Sequence, residues 1–329
     1  MLSDKKQVCV AVVGSGVTGL SSAIRLQERG FDVTIFASDF PPNTTSDAAA
    51  AYWYPYNVGA NRRVLDWALA TFDEYVRLAE MPGSSVFLSP FYKLYAEESD
   101  DAWWVEGIKQ CQRLEPGAFG CAYEVGYQME VPLAETTTYM GYLMGRFVGG
   151  GGQFQRVVLQ NLDEVPDAYS LIVNCAGVQA RALLGDKAVY PIRGQVLRVV
   201  RPEGLERFIV SYDQGSTKTY IIQRSKDVIL GGTAEVDDWN LEADPATAEA
   251  IRERCIALVP ALKDATVLEH KVGLRPGRKE VRLDLEPLAG DRAVIHNYGH
   301  GGAGFTLSWG CAAEVADRAE AFCMESILG

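Results

Sequence analysis

The stretch VCVAVVGSGVTGLSSAIRLQERGFDVTIFAS, residues 8–38, constrains this chain more than any other. An unbroken apolar run over residues 8–13 reads as a strand buried on both faces, after which Val17, Leu20 and Ile24 recur at helical spacing. Gly30 marks the helix stop, and residues 33–37 read as a second buried strand. Between the first strand and the helix stands GxGxxG at Gly14, Gly16 and Gly19. Gly14 permits the tight turn, Gly16 lets the backbone approach a pyrophosphate, and Gly19 lets helix and strand pack closely. Phosphates at this place meet the positive end of the helix. A glycine triplet alone is a weak signal, but in register with both strands and the helix it reads as a dinucleotide site. The acidic residue expected at the end of the second strand is not cleanly placed. FASDF offers Ser38 and then Asp39, and either could bond a ribose hydroxyl.

At 329 residues the chain exceeds the size at which one core stops growing, which leaves two domains or one large α/β domain open. With 31 basic against 43 acidic residues the net charge is −12, which argues against nucleic acid as a partner. The seven cysteines lack CxxC spacing and sit mostly in apolar runs, as expected of reduced thiols in a cytoplasm. Lys5 and Lys6 precede an apolar run too short for an export signal or a membrane span, and no stretch elsewhere is long enough to cross a membrane.

The glycine loop does not choose between NAD and FAD. After the second strand a simple NAD enzyme would continue with βαβ units, whereas here TTSDAAAAYWYPYNVG follows. Thr44, Thr45 and Ser46 could bond a flavin diphosphate or ribityl chain, and the alanines 48–51 would let a planar ring lie against the backbone. The plainer alternative is a Thr/Ser turn with core aromatics. Near the end, HNYGHGGAGFTLSWG packs five glycines into residues 296–310 and opens a helical pattern on Cys311, Val315, Ala319 and Phe322.

These segments resemble the D-amino-acid oxidase family, which includes D-aspartate oxidase. TTSDAAAAYWYPY is similar to the family's corresponding segment, and HNYGHGG followed by G-x5-G-x-A is close to a family signature. PIRGQVLRV, TYIIQ, LGGTAEVDDWN and VGLRPGRKEVRL fall between them in the family's order, so the resemblance runs from Val8 to about Ala316. It implies an α/β plus α+β fold, with an FAD-binding domain of Rossmann type interleaved with a substrate domain on an antiparallel sheet. The expected division gives residues 1–50, 137–190 and 288–329 to FAD and residues 51–136 and 191–287 to the substrate.

The same resemblance implies that Val17, Thr18, Ala50, Ala51, Val158, Gly177 and Phe305 join the cofactor residues. Gly301, Gly302 and Gly304 would let the backbone pass beside the flavin ring, and the helix that follows would point its positive end at charge developing there. Thr306 would bond the flavin carbonyl, and the Gly302 carbonyl would meet the substrate amine. Arg275, in the GLRP element, would hold the substrate carboxylate with Tyr220; Arg278 and Arg282 are the competing arginines, and any of the three could instead lie on a solvated face. Tyr52 and Tyr54, with Tyr56, would line the side-chain cavity or simply belong to the core.

The implied reaction is hydride removal from the α-carbon of a D-amino acid to flavin N5, giving a 2-oxo acid, ammonia and, with dioxygen, hydrogen peroxide. It requires no acid/base side chain. His296 and His300 are expected to shape the loop by hydrogen bonding; no metal is expected. Neutral D-amino acids are the expected substrates, with basic ones left open. Asp213 stands where a basic residue would help an acidic side chain, which disfavours D-aspartate unless Lys218 or Arg224 substitutes. The alternatives are oxidation of D-aspartate, glycine or secondary amines on the same fold, or an FAD-binding module without catalysis, against which the Arg275–Tyr220 pair argues. ESILG does not match an SKL-type peroxisomal address, so the cytoplasm is the expected compartment. A homo-oligomer stays open.

Overall fold

The computed structural model describes residues 8–98, 103–108, 110–117 and 120–328. Lys5, Lys6 and Gly329 lie outside the described residues. In β1 (Cys9–Val13), residues 10–13 are buried, as an apolar run enclosed on both faces requires. α1 (Val17–Glu28) buries Leu20, Ala23 and Ile24, and β2 (Asp32–Ala37) pairs in parallel with β1, Val10 opposite Val33.

The chain then leaves this unit. α2 (Arg62–Ala79) starts at Asn61, whose side chain accepts a hydrogen bond from the Val64 amide at 3.0 Å. β3 (Val86–Tyr95), β4 (Gln112–Arg113) and β5 (Val125–Ala134) follow. α3 (Thr136–Gly149), β6 (Gln153–Arg156), β7 (Leu171–Asn174) and the short α4 (Ala180–Leu184) return to the first unit. β8 (Tyr190–Val200), β9 (Ile209–Gln214), β10 (Thr217–Gln223), β11 (Asp227–Gly231), β12 (Glu235–Val236), α5 (Pro245–Leu258) and β13 (Val267–Gly277) make the second excursion. β14 (Arg282–Leu288), β15 (Arg292–Tyr298) and α6 (Gly304–Leu328) close the chain.

Two sheets result. The six-stranded sheet runs β14-β15-β7-β1-β2-β6 and is parallel except for the β14–β15 hairpin. The nine-stranded sheet runs β12-β8-β11-β10-β9-β3-β5-β4 with β13 along β8, and only its β3–β9 pair is parallel. One hydrophobic core joins the sheets, from Val10 and Ile295 to Phe91, Ile209 and Ile222. α5 covers the far face of the nine-stranded sheet by setting Ile251 and Cys255 among Leu197, Ile221 and Leu230.

The expected boundary at residue 288 is corrected. β14 belongs to the six-stranded sheet from Arg282 onward, because an antiparallel partner for β15 needs only a tight turn, supplied at Gly290 (φ +71°) and Asp291 (φ +56°). α2, expected with the substrate half, packs against β3 and β5 and also along α6, where Gly310 has room only for hydrogen: a Cβ there would lie 2.2 Å from the Trp67 carbonyl oxygen. No helix among the described residues is long and apolar enough to cross a membrane. All seven cysteines are free thiols.

Candidate active site

A cavity of about 1060 Å³ opens between the sheets, at the top of the roughly 300–1,000 Å³ range of small-molecule sites. Its first wall is the turn after β1. Gly14 sits at φ +108°, and a Cβ there would fall 2.4 Å from the Cys175 carbonyl oxygen. Gly19 does not line the cavity: a Cβ there would fall 2.0 Å from the Gly14 carbonyl oxygen, so its bareness serves the turn itself. Gly16, Val17 and Thr18 line the cavity, and the Val17 amide donates to the Ser46 hydroxyl at 2.9 Å. Ser46 thus caps the first turn of α1 and keeps its own proton to donate.

Ser38 and Asp39 both reach the wall, joined by a hydrogen bond from the Ser38 hydroxyl to the Asp39 carboxylate at 2.9 Å. Thr44, Thr45, Ala50, Ala51, Gly177 and the exposed Val158 line the same half. Thr44 is held by its hydroxyl, which donates to Asp47 at 2.7 Å.

The opposite half is built by the nine-stranded sheet. Arg275 on β13 and Tyr220 on β10 both face the cavity, and glycines clear their path. A Cβ on Gly194 would lie 2.3 Å from an Arg275 guanidinium nitrogen, and one on Gly231 would lie 2.1 Å from the Tyr220 ring. Arg275 donates to the Thr233 carbonyl at 3.0 Å and stands 5.6 Å over the Tyr56 ring. Burial pushes the Tyr220 phenol up to about 12 although Arg275 pulls it down, so the hydroxyl is a neutral donor. Arg278 is bound to Asp186 and Arg282 to Glu286, and neither lines the cavity, whereas Arg275 does.

Tyr52 and Tyr54 line the cavity with rings stacked 5.9 Å apart, and Tyr54 meets Trp104 edge-on at 5.3 Å. Lys218 lines the cavity as well, ion-paired to Asp213. Arg224 does not: it is buried against Asp227 and Thr136. Lys93, which the sequence reading missed, is buried beside Asp213 and under the Tyr54 ring. Its signal was a lysine sharing a strand face with Phe91 and Tyr95.

His300, Gly301, Gly302, Gly304 and Phe305 complete the wall. What crowds this backbone is the protein itself: a Cβ would lie 2.0 Å from the Asn57 carbonyl oxygen at Gly301, and 2.3 Å from the Tyr56 ring at Gly302. Thr306 does not line the cavity, and its hydroxyl donates to the Tyr54 carbonyl at 2.8 Å and accepts from the Tyr54 amide at 3.1 Å. His300 bonds Asn297 at 3.0 Å, and burial lowers its pKa to about 4; His296 bonds Glu286 at 3.2 Å and is lowered by burial too.

Residues 9–318 match the profile of the family described as FAD dependent oxidoreductase. The chain belongs to that family. The D-amino-acid oxidase of Rubrobacter xylanophilus is 48% identical over 316 residues, covering 94% of this chain and 95% of the relative. The D-aspartate oxidase of Homo sapiens is 35% identical over 322 residues, 93% of each. Glycine oxidase from Geobacillus kaustophilus superposes with a TM-score of 0.82 at 21% identity, covering 95% of this chain and 94% of the other, and shows the shared fold.

The cofactor is therefore FAD, and the cavity fits it. Bare backbone at Gly14 and Gly16 opens the first turn of α1 to an anion, and a continuous wall runs from there past Ala50 and Ala51 to the start of α6.

Proposed function

We propose that the protein oxidatively deaminates D-amino acids, with the six-stranded half holding FAD and the nine-stranded half holding the substrate. The observation that carries this is the Arg275–Tyr220 pair, a planar cation on β13 and a neutral hydroxyl on β10, facing one cavity from the same sheet with β8 and β11 between their strands. The D stereochemistry is supported by the 48% identical D-amino-acid oxidase.

The turn at residues 14–18 and Ser46 would receive the pyrophosphate, Ser38 and Asp39 the ribose, and residues 44–51 with 301–305 the ring system. Bound FAD supplies the electron acceptor: the α-hydrogen leaves with its electron pair, the imino acid hydrolyses to a 2-oxo acid and ammonia, and dioxygen takes up both electrons as hydrogen peroxide. The residues do the rest. Arg275 holds the carboxylate in a fixed plane and Tyr220 donates to the same group, which fixes the direction of the α-carbon–hydrogen bond. The Gly302 carbonyl receives the amine. No side-chain base is required, since the amine sheds its proton before the hydride departs; His300, neutral at pH 7 with a pKa of about 4, keeps the wall uncharged. The seven free thiols support a reducing compartment such as the cytoplasm.

Anaerobic mixing with D-alanine, D-methionine and their L forms tests the proposal. Rapid loss of the oxidised flavin band with the D forms alone is expected. Equal bleaching by L forms would overturn the stereochemistry, and no bleaching by any would overturn the activity.

A further inference from the structure

The sheet face that carries Tyr220 also carries charges that this chemistry leaves unused. Register sets Lys93 of β3 opposite Ser211 of β9, and Ser211 opposite Tyr220 of β10; Tyr95, Asp213 and Lys218 form the next row on the same face. Same-face neighbours along a strand are about 7 Å apart, so this row stands one step from the carboxylate clamp.

Lys93 Nζ lies 2.6 Å from Asp213 Oδ1, and Lys218 Nζ lies 2.5 Å from Oδ2. Lys93 also donates to Ser211 at 3.3 Å and stands over the rings of Tyr54 and Tyr95 at 5.3 and 4.5 Å. The two lysines differ in one respect. The Lys93 side chain is 1% exposed, whereas that of Lys218 keeps 27% and lines the cavity. A buried ammonium demands a counter-ion, so the Asp213 carboxylate is committed to Lys93. Two ammoniums against one carboxylate leave one positive charge, carried at the cavity wall by Lys218. Other wall carboxylates are engaged elsewhere: Asp39 by Ser38, Asp47 by Thr44, Glu269 by Arg198 and Lys271.

We propose that Lys218, held by Asp213 above the buried Lys93, selects the substrate side chain: it receives a carboxylate or amide oxygen and rejects a cation. The inference rests on the D-amino-acid oxidase reading. Asp213 then attracts no basic side chain, since both its oxygens face ammoniums. The spacing from Tyr220 favours side chains as long as those of D-glutamate and D-glutamine over D-aspartate and D-asparagine.

The test compares kcat/KM for D-glutamate, D-glutamine, D-lysine and D-methionine in the holoenzyme, in Lys218→Met and in Lys218→Arg. D-Glutamate and D-glutamine are expected to exceed D-lysine by about tenfold or more, the effect of one charge-assisted contact. Lys218→Met should lower the D-glutamate to D-methionine ratio about tenfold and raise the D-lysine ratio, and Lys218→Arg should restore both. A parallel titration follows the flavin absorbance as 2-oxoglutarate or 2-oxohexanoate binds, and only 2-oxoglutarate should weaken in Lys218→Met. D-Lysine matching D-glutamate, or ratios unmoved by Lys218→Met, would overturn the proposal. If D-methionine is not oxidised at all, the oxidase reading fails first and takes this inference with it.

Discussion

Arg275 and Thr306 show how differently two polar side chains near one cavity act. Arg275 faces open space with part of its guanidinium uncommitted, so its contribution is drawn on only when a carboxylate arrives. Arg275→Ala is expected to lower kcat/KM for every D-amino acid roughly 100- to 1,000-fold while the flavin spectrum stays, and Arg275→Lys to recover only part, since the planar fork is lost. Steady-state kinetics on the yellow enzyme check both. Thr306 is committed wholly within the protein, joining both backbone polar groups of Tyr54 to the start of α6. Thr306→Val strands the buried Tyr54 amide, while the Tyr54 carbonyl keeps its bond from the Tyr56 amide at 2.8 Å, and should cost about 1–3 kcal/mol. Thermal melting of the apoprotein is the decisive readout: a threonine bonding FAD would leave apo stability unchanged, whereas this one should lower it.

Among the elements, the β1–α1 turn is the one whose conformation admits least. Gly14→Ala combines a φ of +108° with a Cβ 2.4 Å from the Cys175 carbonyl oxygen, on the loop after β7. Separation of β7 from β1 is the relief available, so the variant should melt several degrees lower and lose FAD on gel filtration, a cost of about 1–3 kcal/mol for the dihedral alone. This turn was legible in the sequence because everything that shapes it lies within one βαβ stretch. Arg275 and Tyr220 were legible only through resemblance, and the structure adds the reason for their glycines at Gly194 and Gly231. The Thr306–Tyr54 bond was not legible, because its partners stand 252 residues apart. Lys93 and Asp213 were missed as a pair for the same reason: the β3–β9 pairing that joins them leaves no local pattern. The β14 boundary failed because a strand reads alike in either sheet until its partner is known.

Across the whole molecule, burial couples folding to pH. His300 titrates at about 4 when folded against an ordinary 6.5, and His296 is lowered too, burial being the first cause in both. Between those values the unfolded chain binds more protons, so stability is present above about 6.5 and is lost as pH falls toward 4. His300 alone accounts for up to about 3 kcal/mol. Melting temperatures from pH 7 to 4.5 should fall for the wild type and fall less for His300→Gln. Glu74, Glu314, Asp186 and Glu286, all lowered, add their loss below this window, as pH passes down through their folded values.

The double excursion of the chain from one sheet to the other has an architectural consequence. Cut at the exposed turn around Gly204, the protein would leave β1, β2, β6 and β7 on one piece and β14 and β15 on the other, with the nine-stranded sheet divided as well. Neither piece owns a complete sheet. The two halves of this enzyme therefore cannot be traded, duplicated or inherited as modules; a lineage that keeps one must keep both.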